Sequence, residues 1–231
     1  MKKNTLPAVF LAIGLLATSP VYAEQQMAVH QSKPSNAELI VPKVSRYTAA
    51  EFLQQKGVKA ALEKIYSLYP ETKSYKLEFP MKSPYVYFDE KRQRKEFFYY
   101  SATLTSSKPI KDKSGKLFYP GLSFTVDAET GVLRGINQYL QKTTKPLANL
   151  SDEQVKQKGS DFLNKLFGDQ MKGYAAEQVI KQTITIDKYT MNHYQLVMCR
   201  PSDPNALAIY VSFEGDMITG AMWRPYYKLG K

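Results

Sequence analysis

The chain has 231 residues and a formal net charge of +11, with 32 Lys and Arg against 21 Asp and Glu. Its single cysteine forbids an internal disulfide, and one Cys with two distant His cannot close a structural zinc site. Neither G-x-x-x-x-G-K nor G-x-G-x-x-G occurs, which sets aside the common phosphate-cradling loops.

The N-terminus reads as an export signal. Lys2 and Lys3 form a positive start, Leu6 to Ala17 is apolar and uncharged, and Val21-Tyr22-Ala23 offers small residues at the cleavage positions. The apolar run falls short of the roughly 20 residues that a membrane-spanning helix needs. Residues 1–23 are therefore predicted to be a signal peptide, with Glu24 the first mature residue and a secreted or extracytoplasmic location. No Cys lies near the cleavage site to carry a lipid anchor. Residues 24–44 are polar and aperiodic and read as a flexible leader.

Thr48-Ala49-Ala50-Glu51 has the form of a capping box, and Phe52, Leu53, Ala61, Leu62, Ile65 and Tyr66 follow at helical spacing. This predicts a helix from Thr48 to about Leu68, weakened at Gly57 and stopped before Pro70. Strand-like runs follow at 74–79, 85–88, 96–105, 117–127 and 132–139, with Pro80 and Pro84 interrupting the first two. Asp127-Ala128-Glu129-Thr130-Gly131 reads as a hairpin turn. A second capping box, Ser151-Asp152-Glu153-Gln154, opens a helix that Gly168 ends. Strands are expected at 177–187, 189–199, 206–213 and 217–223, the last two joined across Glu214-Gly215-Asp216.

The order helix-then-strands occurs twice. Ala61-Leu62-Glu63-Lys64-Ile65-Tyr66 is similar to Phe162-Leu163-Asn164-Lys165-Leu166-Phe167, and the hairpin Phe124–Gly135 is similar to Tyr210–Gly220. The expected organisation is a first helix-plus-sheet repeat at 45–141, a connector at 142–150 and a second repeat at 151–231, each a helix on an antiparallel sheet of about four strands.

With its two capped helices and closing hairpins, and above all Phe124-Thr125-Val126-Asp127-Ala128-Glu129-Thr130-Gly131-Val132-Leu133, the chain resembles the PepSY-like repeats of exported bacterial proteins, in particular the tandem YcdB/YcdC-type domain. The resemblance covers about residues 45–225. It implies an α+β fold of two cystatin-like repeats and a binding or inhibitory role at the cell surface, towards peptidases in some members. It carries over no catalytic residue and no cofactor.

The residues themselves offer few catalytic groupings. A Ser-His-Asp triad would need His193, which sits in a strand without a G-x-S-x-G motif, while His30 falls in the leader. Cys199 follows Leu196-Val197-Met198 and reads as a small buried hydrophobe. Asp127 and Glu129 could hold calcium, but Asp opening a Gly turn explains them better. Asn149-Leu150-Ser151 matches a glycosylation sequon in which Ser151 is better read as a helix cap. Paired carboxylates among Glu78, Asp89, Glu90, Glu96 and Asp187 keep a secreted carboxylate-dependent hydrolase as the alternative.

The favoured reading is a non-catalytic binding protein with no cofactor and no metal. Candidate aromatic anchors are Tyr85, Tyr87, Tyr99 and Tyr226, with Arg92 and Arg94 of the basic run 91–95 beside them. The partner is expected to be a protein, with anionic wall polymer or a membrane surface as the electrostatic alternative; nucleic acid is not expected outside the cell.

Overall fold

The structure is a computed structural model and describes residues 44–88, 93–111, 117–139, 149–186, 189–203 and 206–225. The expected signal peptide at 1–23, the leader up to residue 43 and most of the connector 142–150 lie outside the described residues.

Both capping boxes form. The Thr48 hydroxyl accepts from the Glu51 amide at 3.3 Å, and the Glu51 carboxylate accepts from the Thr48 amide at 2.8 Å. Ser151 and Gln154 exchange the same two bonds at 3.2 and 2.9 Å. The first predicted helix is in fact two, α1 (Ala49–Leu53) and α2 (Val58–Leu68). Gly57 separates them at φ +77, so the glycine expected to weaken one helix breaks it instead. The second capped helix is α3 (Asp152–Phe167), ended at Gly168 with φ +56.

Eleven strands are described. They are β1 (Ser45–Arg46), β2 (Lys76–Phe88), β3 (Arg94–Thr105), β4 (Ile110–Lys111), β5 (Leu117–Phe118), β6 (Gly121–Asp127), β7 (Leu133–Tyr139), β8 (Ala175–Ile186), β9 (Tyr189–Cys199), β10 (Ala208–Glu214) and β11 (Met217–Arg224). Two prolines do not interrupt β2 as expected. Among the described residues only the two-residue β1 pairs on its outer side, so Pro84 removes no described ladder bond. Pro80 falls at a bulge, where Phe79 adopts φ +53 and the register slips between Glu78 and Met81. The run expected as one strand at 117–127 divides, because β5 turns back to pair with β4 while β6 joins the main sheet.

The expected α+β fold of two cystatin-like repeats, each a helix on its own sheet of about four strands, is not what forms. The protein is mostly β: nine strands make one antiparallel sheet in the order β1-β2-β3-β6-β7-β11-β10-β9-β8, beside the small β4–β5 ladder. The reason lies at the middle of the sheet. β7 and β11, the edges each half would have left open, pair directly through Asn137–Gly220, Ile136–Ala221 and Gly135–Met222. A Cβ on Gly220 would lie 3.0 Å from the Ile136 oxygen, so the bare backbone there permits the approach. Gln138 Nε2 reaches across the join and donates to the Ile218 carbonyl.

Strand alternation then assigns the faces. Leu122, Phe124 and Val126 of β6 are buried, while Ser123 and Thr125 between them are half-buried on the other face. The buried face and the helices share a single core. Phe52, Ile65, Phe124, Leu163, Leu196 and Phe213, drawn from both halves of the chain, belong to one cluster and are almost fully shielded from solvent.

Candidate functional site

β2 and β3 form the longest hairpin described, paired from Lys76–Thr105 to Phe88–Arg94. β6 accompanies β3 only from Thr105 back to Tyr99, and the last link is the Ala128 amide donating to the Phe98 carbonyl at 2.7 Å. The stretch Arg94–Phe97 with its β2 partners therefore extends past β6 as an arm. Its root is fixed by aromatic contacts: Tyr100 lies edge-on to Phe52 and to Tyr47 with ring centroids 6.3 and 6.2 Å apart, and Phe52 meets Phe124 at 6.2 Å.

The base of the arm, where β3 parts from β6, presents aromatic side chains on both faces. On the face away from the helices, the Tyr85 and Tyr99 rings lie 5.8 Å apart at a tilt of 49°. On the opposite face, the Lys82 ammonium stands 5.1 Å from the Phe98 ring and 5.9 Å from Tyr100. Phe98 remains 41% exposed. Arg94 reaches Glu96 at 3.4 Å, an exposed pair that adds little to stability.

Of the predicted site residues, Tyr85 and Tyr99 come together at the base of the arm, while Arg94 lies five residues further along β3, opposite Phe88. The Tyr87 backbone is opposite Lys95, but its side chain lies outside the described residues, as do Arg92 and Tyr226. Lys82 and Phe98 were missed by sequence reasoning. No local motif marks them, and their meeting depends on the Lys82–Tyr100 register of the hairpin.

The alternative chemistry finds little support in the geometry. Glu78 is opposite Thr103 and Glu96 opposite Val86, which separates the two acids by more than about 20 Å along the ladder. Asp89, Glu90 and Asp187 lie outside the described residues. His193 and Cys199 are six residues apart on β9, roughly 20 Å. Burial, assisted by the nearby Glu177 carboxylate, pushes the Cys199 thiol above its ordinary pKa, the reverse of what a nucleophile needs. Among the described residues no group of three or more His, Cys, Asp or Glu is placed to hold a metal ion. Nor is any described helix long and apolar enough to cross a membrane.

The Asp127 carboxylate is committed to its turn. It accepts from the Glu129 and Thr130 amides at 3.0 and 2.8 Å and from the Arg134 guanidinium at 3.3 Å. Burial alone would raise its pKa, but the Thr130 amide and hydroxyl, Arg134 and the Glu129 amide together hold it below the usual carboxylate value. Arg134 in turn lies 5.2 Å over the Trp223 ring, which packs on Phe167 and Tyr174. The sequon asparagine is also occupied: Asn149 Oδ1 accepts from Asn192 Nδ2 at 2.6 Å, and Ser151 caps α3.

Set against known proteins, the chain matches no protein-family model, no curated protein and no solved structure.

Proposed function

We propose that this chain is an exported, non-catalytic binding protein, acting at the cell envelope or in the medium, whose contact surface is the β2–β3 arm. The observation that carries the reading is Phe98, exposed beside the Lys82 ammonium on a hairpin that leaves the sheet, with the Tyr85–Tyr99 pair on its other face. Aromatic side chains are enriched among the residues that anchor protein–protein contacts. A peptidase that the protein modulates or inhibits is the partner class implied by the PepSY-like resemblance. The N-terminal pattern of Lys2, Lys3 and the apolar run supports export.

A second reading, attachment to anionic wall polymer or a membrane surface, is favoured by the excess of 32 Lys and Arg over 21 Asp and Glu and by two cations at the root of the arm, Lys82 and, on the other face, Arg46 opposite Met81. One experiment addresses both. The purified protein and its Phe98→Ser/Tyr99→Ser variant are used to capture partners from secreted and envelope fractions at low and high salt. The protein-binding reading expects one dominant partner, retained at high salt and lost with the variant. Release by salt, indifferent to the variant, supports the electrostatic reading. Capture of nothing above background removes both.

A further inference from the structure

We propose that the β4–β5 ladder is a membrane-contact element that seats this protein on an anionic lipid surface. The inference rests on the electrostatic reading above and gives it a location, at the opposite end of β3 from the arm.

β4 and β5 fall between β3 and β6 in the chain but stand outside the main sheet. Their ladder is two pairs long, Ile110–Phe118 and Lys111–Leu117. The excursion is closed at its neck, where the Ser106 amide donates to the Pro120 carbonyl at 2.8 Å. Just beyond, the Ser106 hydroxyl accepts from the Lys108 amide at 3.1 Å.

The apolar side chains of this element do not serve the core. Ile110, Leu117, Phe118 and Tyr119 are absent both from the core cluster and from the side chains packed against it. Seven large apolar side chains are exposed among the described residues, and three of them are here: Leu117 at 54%, Tyr119 at 53% and Ile110 at 39%. Such a concentration on so short a ladder marks a contact surface. Alternation puts Leu117 on the face of Lys111 and Ile110 on the other face. Tyr119 precedes Pro120, which favours extended backbone, so it continues the Leu117 face.

The charges select the occupant. Lys108 and Lys111 are exposed, and no residue of 106–111 or 117–121 is acidic. Leucine, isoleucine and tyrosine beside lysines suit the boundary between acyl chains and headgroups. The apolar side chains enter it, the tyrosine hydroxyl stays wet, and the ammonium groups meet lipid phosphates. Exposure on both faces favours a medium that surrounds the ladder over a protein surface that would cover one face.

The protein from Glu24 onward, the form expected after export, is sedimented with vesicles. Vesicles of equal parts phosphatidylglycerol and phosphatidylcholine should bind it about tenfold or more tightly than phosphatidylcholine alone. Leu117→Ser/Tyr119→Ser and Lys108→Gln/Lys111→Gln should each weaken binding to the anionic vesicles about tenfold, with urea midpoints near the original. Lys158→Gln/Lys165→Gln, which removes the same charge from α3, should weaken it far less. Binding that both ladder variants leave unchanged, that the α3 variant weakens equally, or that neutral vesicles match overturns the proposal. If vesicles are not bound but immobilised polyphosphate is, the ladder contact falls and attachment to anionic polymer stands. Binding to neither removes both.

Discussion

A Cβ placed on Gly57 would stand 1.8 Å from the carbonyl oxygen of Gly131. The joint between α1 and α2 and the turn between β6 and β7 touch backbone to backbone, and both residues sit at φ +77. Lys56 Nζ donates to the Glu129 carbonyl at 2.6 Å beside them. Gly57→Ala therefore combines a left-handed backbone with a collision against main chain, and should cost more than about 3 kcal/mol in urea unfolding. Gly215→Ala provides the contrast. Its φ is +60 but an added Cβ meets nothing within 4 Å, so it should cost only about 1 kcal/mol. Equal losses at the two sites would contradict the contact.

Asp127 predicts a pH dependence. Its carboxyl titrates lower in the fold than in the unfolded chain, so its contribution is present above the unfolded value and is lost as pH falls through the folded one. Asp127→Asn should lose about 1–3 kcal/mol near neutrality and show a shallower decline of Tm into acid than the original protein. Parallel acid limbs would mean that another carboxylate controls that range.

Asn149→Ala removes the acceptor for Asn192 Nδ2, a side chain only 3% exposed whose Oδ1 accepts from Thr183 at 2.9 Å. The orphaned amide should cost about 1–3 kcal/mol. Because the Leu150 amide donates to the Tyr194 hydroxyl next door, hydrogen exchange should quicken first at the start of α3. Unchanged protection there would count against the clamp.

Phe79 is a bulky residue at φ +53 with 69% of its surface exposed. The fold gains little from its ring and bears the left-handed backbone. Phe79→Asn should leave stability unchanged or raise it by up to about 1 kcal/mol, as read from the urea midpoint. A loss of stability would show that the ring packs in a way its exposure conceals.

The features legible in the sequence are those written over a few residues. Thr48–Glu51 and Ser151–Gln154 specify their caps locally, Asp127 to Gly131 specifies its turn, and short strand-like runs mark β7 and the strands from β8 to β11, whereas the run at 117–127 hides the break between β5 and β6. Pro80 and Pro84 misled because a proline's meaning depends on what lies beside the strand, and among the described residues only the two-residue β1 pairs with the outer side of β2. The join of β7 to β11 had no local sign at all: Gly135 meets Met222 from the far end of the chain, and nothing near either residue announces the other. The same is true of the arm. Tyr85 and Tyr99 could be chosen for being aromatic, but the Lys82–Phe98 contact exists only once the hairpin register is known.

The join at Gly220 has a consequence for how this protein can be divided. A fragment ending at Tyr139, or one beginning at Asn149, would carry a naked central strand into solution, and its most available ligand would be another copy of itself. Neither half is a transferable module, and evolution could have lengthened or shortened this chain far more readily at its two flanks than at its midpoint.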